Sequence, residues 1–226
     1  MTTPYYQDDL VTLYHGDCLE ETAWLDADVL VTDPPYGIAW KSNDTHASRG
    51  KSVEASRELV AGDDSSNVRD LALSLWGDGP AIVFGSWRVK RPDRTSHRLI
   101  WHKASRLPGY TSAPFFPAEE EIYIIGSGFI GRPIQNVITT HEKRDGKYGE
   151  VAKIGHPTPK PVGLMEKLVA KTVGIIADPF AGSGATLIAA RNLGRQSIAV
   201  EIEERYCELI AKRLAQQAFN FGEPTE

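Results

Sequence analysis

Seven short apolar runs alternate along this 226-residue chain with segments whose apolar residues recur at helical spacing. Parallel strands need long connections that are usually helices, so this alternation favours an α/β fold with a mostly parallel, helix-covered sheet. Helical spacing marks the segments 68–76, 162–169, 185–193 and 203–218. The candidate strands are Leu10–Tyr14, Val29–Thr32, Ala81–Phe84, Arg98–Trp101, Glu121–Ile125, Gly174–Ala177 and Ser197–Glu201.

The second of these strands ends in the tetrad Asp33-Pro34-Pro35-Tyr36. In open α/β sheets, ligands bind at the carboxyl ends of the strands. The tetrad offers a carboxylate acceptor and an aromatic face on a rigid turn, because proline fixes its own backbone angle. Taken alone, Asp33 also fits a helix cap or a turn, and Tyr36 also fits a core aromatic. A second motif therefore has to decide whether the tetrad holds a flat, amine-bearing ring.

A glycine-rich turn, Phe180-Ala181-Gly182-Ser183-Gly184, follows a later apolar strand and opens a helix. Such a turn lets the backbone approach a ligand closely. It lacks the third glycine of the dinucleotide fingerprint and the Lys-Ser/Thr pair of a phosphate-binding loop, so a nucleoside without a pyrophosphate fits better. Asp178 precedes the turn, and Glu201 ends the next strand near the spacing at which an acidic residue accepts from ribose hydroxyls.

The composition is that of an ordinary globular protein, with 41% apolar and 24% charged residues. No apolar run approaches the roughly 18–20 residues of a membrane span, and the first ten residues are too polar for a signal peptide. Cys18 and Cys207 are too few for a disulfide framework or a zinc cluster. We therefore expect a single cytoplasmic domain over residues 1–226, with no metal site and no membrane contact.

The net charge of −5 hides a basic stretch at residues 88–106, with seven Lys and Arg against one Asp. Such a stretch can bind phosphates, although a solvated face is the alternative. Two segments without periodicity, 41–64 and 126–155, are predicted to be loops, and the second is the candidate DNA-recognition segment. The basic residues predicted to contact DNA are Arg88, Lys90, Arg91, Arg94, Arg132, Lys143, Arg144 and Lys147.

These motifs, in this order, resemble the S-adenosylmethionine-dependent DNA methyltransferases that modify exocyclic amino groups. The resemblance spans residues 10–215 and follows the permuted arrangement, in which the catalytic motif precedes the cofactor motif. The matching stretches are Leu13–Cys18, Thr32–Gly37, Val83–Trp87, Ile100–Lys103, Glu120–Tyr123, His156–Pro161 and Asp178–Thr186.

The resemblance implies a Rossmann-like, seven-stranded sheet with one antiparallel strand and helices on both faces. It implies S-adenosylmethionine as the cofactor, with Glu201 on the ribose hydroxyls and with Thr158 and Lys160 on the methionine carboxylate. Asp17 and Cys18 are expected to flank the cofactor's adenine. The remaining residues expected at the cofactor are Asp33, Asp178, Phe180, Gly182, Ser183 and Gly184.

The expected substrate is double-stranded DNA with its target base flipped out of the stack. The catalytic residues are then Asp33, Pro34, Pro35 and Tyr36: Asp33 and the Pro34 carbonyl accept the two N–H groups of the amine, and Tyr36 stacks on the base. Within the resembled family, Asp at the head of the tetrad favours adenine N6 over cytosine N4. The chain has no Pro-Cys nucleophile, which argues against ring-carbon methylation.

Two other classes of function remain open on the sequence alone. One is a methyltransferase for RNA or for a protein side-chain amide, and the other is a non-catalytic DNA- or partner-binding module. The basic stretch argues against the amide substrate, and the intact set of motif residues argues against the binding module. A monomer and a homodimer are both compatible with the sequence.

Overall fold

The computed structural model describes residues 2–36, 67–104, 115, 118–141, 154, 156 and 158–220. Of these, residues 217–220 are described by their backbone alone. Within these residues, nine strands form one sheet. The strands are β1 (Tyr6–Gln7), β2 (Val11–His15), β3 (Val29–Thr32), β4 (Ala81–Gly85), β5 (Thr95–Lys103), β6 (Glu119–Ile125), β7 (Val137–Thr140), β8 (Ile176–Asp178) and β9 (Ser197–Glu201). The helices are α1 (Asn67–Trp76), α2 (Val162–Val169), α3 (Ala185–Asn192) and α4 (Glu204–Asn220), and Ala23–Asp26 forms a short 3-10 helix.

The strands lie in the order β1-β2-β9-β8-β3-β4-β6-β5-β7. β1 runs antiparallel to β2, and β6 runs antiparallel to both β4 and β5, whereas the other neighbours are parallel. The α/β fold with a mostly parallel sheet is confirmed, and all seven predicted strands are present. The described residues contain nine strands where seven were predicted, because two short strands, β1 and β7, are added to them; two of the nine, β1 and β6, run antiparallel.

The two additional strands lie at the two edges of the sheet. β1 has only two residues, too few to produce an alternating pattern. β7 lies inside the segment 126–155 that we predicted as a loop, and its alternate residues are buried. Its four residues Val137–Thr140 are all β-branched, a strand signal that the sequence contains but that is short. The rest of this segment beyond His141, and the predicted loop 41–64, fall almost entirely outside the described residues.

Alternation along the central strands packs helices on both faces of the sheet. Val29 and Val31 of β3 join the apolar cluster that contains α2 and α3. Leu30 between them joins the opposite cluster, which contains Trp24 of the 3-10 helix and Ala72 of α1. Successive side chains of a strand point to opposite faces, so β3 is buried on both sides. None of the described helices is both long and apolar enough to cross a membrane.

The order in which the chain adds strands to the sheet reverses at β3. It continues from β3 to β4 on one side, whereas β8 and β9 lie on the other side. A switch of this kind opens a crevice at the carboxyl ends of the strands, where α/β proteins bind ligands. We use the term carboxyl edge for the residues that follow β2, β3, β4, β8 and β9. The first residues of β6 lie at the same edge because β6 is antiparallel, with Glu121 opposite Gly85.

The entry to β8 depends on a glycine at position 174. Gly174 has a φ of 75°, and a Cβ atom built there would lie 2.4 Å from Asp28 Cβ. Asp28 accepts a hydrogen bond of 2.6 Å from the Ile175 N–H, which aligns β8 beside β3. A side chain at this position would therefore separate the two strands that carry the motifs.

We expect Gly174→Ala to lower the free energy of unfolding by more than Gly194→Ala. Both glycines have positive φ, a conformation that costs an alanine about 1–2 kcal/mol, but a Cβ at Gly194 meets no atom within 4 Å. Both changes also restrict the unfolded chain equally, so their difference isolates the clash with Asp28. Urea denaturation of the two variants measures this difference in the free energy of unfolding. Equal losses would contradict a clash between the Cβ at position 174 and Asp28.

Candidate active site

The tetrad and the glycine-rich turn open into one cavity of about 480 Å³ at the carboxyl edge. This volume lies in the range of small-molecule sites. All predicted catalytic and cofactor residues line it except Gly184. Gly184 begins α3, and a Cβ there would lie 2.8 Å from Ile210 Cγ1 of α4. The structure therefore gives Gly184 a packing position beside the turn.

A hydrogen bond joins the first and the last residue of the tetrad. The Tyr36 hydroxyl donates to Asp33 Oδ1 at 2.7 Å and lies 3.1 Å from Glu120 Oε2. Burial, together with the charges of Asp33 and Glu120, holds the pKa of Tyr36 well above its usual value, so the hydroxyl keeps its proton. The Asp33 side chain is 25% exposed. Its carboxylate thus reaches the cavity from a turn that has little freedom.

The glycine-rich turn is joined to the tetrad through buried polar groups. Thr32, the last residue of β3, donates from Oγ1 to Asp178 Oδ1 at 2.7 Å. The same oxygen of Asp178 accepts the Phe180 N–H at 3.2 Å. Burial raises the pKa of Asp178 to about 6, against the opposing effect of these hydrogen bonds and one from Thr186. One carboxyl group therefore fixes both motif strands at their ends.

Glu201 closes the turn from the adjacent strand β9. Its Oε2 accepts the Gly182 N–H at 2.7 Å, and its Oε1 accepts the Glu203 N–H at 2.8 Å. Gly182 has a φ of 51°, which favours glycine. Burial raises the pKa of Glu201 to about 7, although both backbone hydrogen bonds oppose the shift. A carboxylate oxygen accepts more than one hydrogen bond, so each oxygen keeps capacity for a ligand hydroxyl.

Asp17 and Cys18 lie at the end of β2, next to β9. The Gly16 N–H donates to the Glu201 carbonyl at 2.9 Å, which brings this turn beside the glycine-rich turn. Asp17 Oδ1 accepts the Leu19 N–H at 2.9 Å. Burial raises the pKa of the Cys18 thiol to about 12, so the thiol keeps its proton and contributes an uncharged side chain to the cavity wall.

Thr158 and Lys160 enter the site from the segment before α2. The Thr158 N–H donates to His156 Nδ1 at 3.2 Å. The Lys160 ammonium donates to Asp33 Oδ2 and lies 3.3 Å from Glu120 Oε2. The predicted role of Lys160 as a ligand of the methionine carboxylate stays a prediction, and in this structure its charge is directed to the tetrad.

Glu120 and Lys103 are site residues that the sequence reasoning missed. The Lys103 ammonium binds Glu120 Oε1, and both residues line the cavity. Each lies in a stretch that carried the family resemblance, but the sequence does not give the direction of β6. The antiparallel course of β6 brings its first residues, and not its last, to the carboxyl edge.

The basic residues predicted to contact DNA are spread over the molecule. Arg88 lies at the cavity with its guanidinium 5.6 Å from the ring of the exposed Trp87. Arg91 lies 5.9 Å from the Tyr123 ring, and Lys90 pairs with Asp93 at 2.8 Å.

Two further predicted DNA contacts lie away from the tetrad. Arg94 precedes β5 and pairs with Asp78 before β4, at the edge opposite the tetrad. The Arg132 carbonyl accepts from Lys171, beyond the end of α2. Lys143, Arg144 and Lys147 lie outside the described residues.

The fold and the cavity define an α/β protein with a nucleoside-sized site at the switch point of its sheet. The model of the N6_N4_Mtase family, described as DNA methylase, matches residues 87–213, more than half of the chain. The chain therefore belongs to this DNA methylase family. Membership confirms the resemblance to S-adenosylmethionine-dependent DNA amino-methyltransferases that the ordered motifs predicted.

Relatives with curated names are similar over nearly the whole chain. The type II methyltransferase M2.DpnII of Streptococcus pneumoniae is 24% identical over 255 residues, which cover 95% of this chain and 93% of the relative. The putative methylase YubD of Escherichia coli K12 is 28% identical over 220 residues, 92% of each chain.

Solved structures show the same fold at lower identity. The M1.HpyAVI complex with SAM superimposes with a TM-score of 0.64 at 20% identity, over 91% of this chain and 99% of that one. The PvuII DNA methyltransferase, described as cytosine-N4-specific, also has a TM-score of 0.64, at 17% identity over 93% of this chain and 88% of that one. The fold is therefore shared by this chain and both proteins.

The raised pKa of Glu201 predicts a pH dependence of stability. The folded state retains a proton that the unfolded state releases near pH 4.5, so this contribution is fully present below that pH and is lost as pH rises through about 7. We expect Glu201→Gln, which cannot ionise, to gain stability relative to the parent protein as pH rises from 4.5 to 8.

The pH series of urea midpoints measures this difference. Glu208→Gln is the matched control, because Glu208 is an exposed carboxylate on α4 that pairs with Lys212. The glutamine variant also loses one backbone acceptor, which gives an offset that does not change with pH. A difference that is constant across the pH series would contradict the buried, proton-retaining state of Glu201.

Proposed function

We propose that this protein transfers a methyl group from S-adenosylmethionine to the exocyclic amine of a base flipped out of double-stranded DNA, with adenine N6 as the favoured acceptor. The observation that carries the proposal is that a single cavity contains both Asp33 and Glu201. One end offers acceptors for an amine, and the other offers a glycine-rich turn with a buried acceptor for hydroxyls.

The cofactor would occupy the end of the cavity formed by β2, β8 and β9. The Glu201 carboxylate is suited to the ribose hydroxyls, and Asp17 with Cys18 to the adenine. Phe180, Gly182 and Ser183 would surround the ribose and the methionine chain, and Thr158 would approach the methionine carboxylate. Gly184 acts indirectly, because its lack of a side chain lets α3 approach Ile210 closely.

The base would occupy the end formed by the tetrad. Its amine has two N–H groups, and the Asp33 carboxylate and the Pro34 carbonyl are two acceptors on one rigid turn. The Tyr36 ring lines the cavity and can stack on the base, a contact worth about 1–3 kcal/mol per base. Holding both N–H groups out of the ring plane directs the nitrogen lone pair toward the arriving methyl group.

The bound cofactor supplies an electrophilic methyl carbon. S-adenosylmethionine, once bound, would supply this carbon with its sulfur leaving as a neutral thioether, and the methylated amine would then give up one proton. The Asp33 carboxylate accepts one N–H of the amine, so it is placed to receive that proton. Transfer requires an approach of roughly 3–3.5 Å between nitrogen and carbon, so Asp33 acts chiefly by orientation.

The DNA would approach across the rim of the cavity beside the end of β4. Trp87 is 66% exposed there, with Arg88 next to it. An exposed aromatic beside a cation suits contact with an unstacked strand and its phosphates. The contributions of the other predicted basic residues stay predictions, as do the predicted recognition segment, the cytoplasmic location and the choice between a monomer and a homodimer.

Cytosine N4 is the second candidate acceptor. It presents the same amine to Asp33 and Pro34, and the fold is shared with the PvuII enzyme, which is described as cytosine-N4-specific. Asp at the head of the tetrad supports adenine. A non-catalytic binding module is the alternative of another class.

Incubation of plasmid DNA with the purified protein and tritiated S-adenosylmethionine tests the proposal. We expect label in the DNA, recovered as 6-methyladenine when the nucleosides are separated by mass spectrometry. Recovery of 4-methylcytosine would select the second acceptor. DNA without label, from a protein whose binding of the cofactor is shown by calorimetry, would contradict both and favour the binding module.

A further inference from the structure

Four side chains of alternating charge run through the wall of the cavity behind the tetrad. Asp33 Oδ2 binds the Lys160 ammonium, which lies 3.3 Å from Glu120 Oε2, and Glu120 Oε1 binds the Lys103 ammonium. Lys160 and Lys103 are each 6% exposed, Glu120 is 17% exposed and Asp33 is 25% exposed. We refer to Asp33, Lys160, Glu120 and Lys103 as the four-charge chain.

The sheet brings these four residues together. Asp33 follows β3, Lys103 ends β5, and Glu120 lies near the start of the antiparallel β6, opposite Trp101. Lys160 enters from the segment before α2. Because the four residues come from separate elements, their meeting point is fixed by the strand order and not by one flexible loop.

Aromatic rings enclose the Lys160 ammonium. Its Nζ lies 5.1 Å from the ring centre of Phe84, 5.7 Å from that of Tyr36 and 5.9 Å from that of Trp101. Phe84 and Trp101 are fully buried. Such rings attract a cation but do not replace its hydration, so the ammonium depends on its hydrogen bond to Asp33 and on its ion pair with Glu120.

Sharing by Glu120 limits how strongly Lys160 holds Asp33. The negative charge of Glu120 partly cancels the field of the Lys160 ammonium at the Asp33 carboxylate, whereas an ammonium with Asp33 alone would withdraw that carboxylate from the base. The Tyr36 hydroxyl is shared in the same way, since its single hydrogen faces both Asp33 Oδ1 and Glu120 Oε2. Glu120 thus moderates both contacts that the protein makes to the Asp33 carboxylate.

We propose that Lys160 and Glu120 are positioning residues for Asp33: Lys160 fixes the orientation of the carboxylate, and Glu120 balances the Lys160 charge so that Asp33 remains a strong acceptor for the base amine. This assignment rests on the proposed function and gives Lys160 a role other than binding the methionine carboxylate. Neither residue needs to touch the base or the cofactor to act in this way.

Three variants test the assignment: Glu120→Gln, Lys160→Met and the double variant. The turnover number is measured at saturating DNA and cofactor, and the cofactor dissociation constant by calorimetry. We expect each single variant to lower kcat by about 10- to 100-fold, as small misplacements of a reacting group do. The cofactor dissociation constant should change by less than about threefold, because the loss falls on the reaction step.

The double variant separates charge balance from loss of packing. It removes one cation and one anion, so Asp33 keeps neither the Lys160 ammonium nor the Glu120 carboxylate beside it, and Lys103 loses its ion pair with Glu120 as it also does in Glu120→Gln. We expect its kcat to exceed that of Lys160→Met alone. Glu208→Gln, a change at an exposed carboxylate of α4 that does not line the cavity, is the control and should behave as the parent protein.

Three results would overturn the assignment. A Lys160→Met variant with weakened cofactor binding and an unchanged kcat would make Lys160 a cofactor ligand. A Glu120→Gln variant with the parent kcat would remove Glu120 from the mechanism, and because Gln is isosteric this result stands even if Lys160→Met does not fold. A double variant no better than Lys160→Met would indicate lost packing. Absence of methylation by the parent protein would instead overturn the proposed function, and this assignment with it.

Discussion

The site depends on the buried hydrogen bond between Thr32 Oγ1 and Asp178 Oδ1. Each residue ends a strand, β3 or β8; Thr32 directly precedes the tetrad, and Asp178 precedes the glycine-rich turn with only Pro179 between them. The two strands are parallel neighbours, with Leu30 opposite Ala177. The separation between the tetrad and the glycine-rich turn is therefore set by a strand spacing of roughly 4.8 Å and by one hydrogen bond, although the motifs lie far apart in sequence.

The same edge gathers acidic side chains from successive strands. Asp17, Glu201, Asp178 and Asp33 follow or end β2, β9, β8 and β3, and Glu120 adds a fifth from β6. Burial raises the pKa of Asp178 and of Glu201, which shows the cost of placing carboxylates here. A cationic ligand would offset that cost, a further argument that supports a sulfonium cofactor at this edge.

Much of the site followed from the sequence, because each motif stands directly after an apolar run. The carboxyl ends of parallel strands share one edge, so Asp33, Asp178 and Glu201 could be expected together. The direction of β6 could not be read from its residues, and Glu120 was missed for that reason. The sequence of the basic stretch does not show which acidic residues its members pair with. Arg94, for example, pairs with Asp78 at the opposite edge of the sheet. The role of Gly184 at the cofactor stays a prediction; a side chain there would also clash with Ile210, and a motif does not distinguish packing from ligand contact.

In the proposed function, one cavity has two ends with separate tasks, Asp33 for the base and Glu201 for the cofactor. The most direct measurement compares methyl transfer with cofactor binding in Asp33→Ala, using single-turnover rates and calorimetry on the same preparation. We expect the transfer rate to fall by at least about 100-fold, as when a key positioning group is removed, while the cofactor dissociation constant stays near that of the parent protein. Parallel loss of transfer and of cofactor binding would contradict it, because Asp33 would then be chiefly a cofactor ligand.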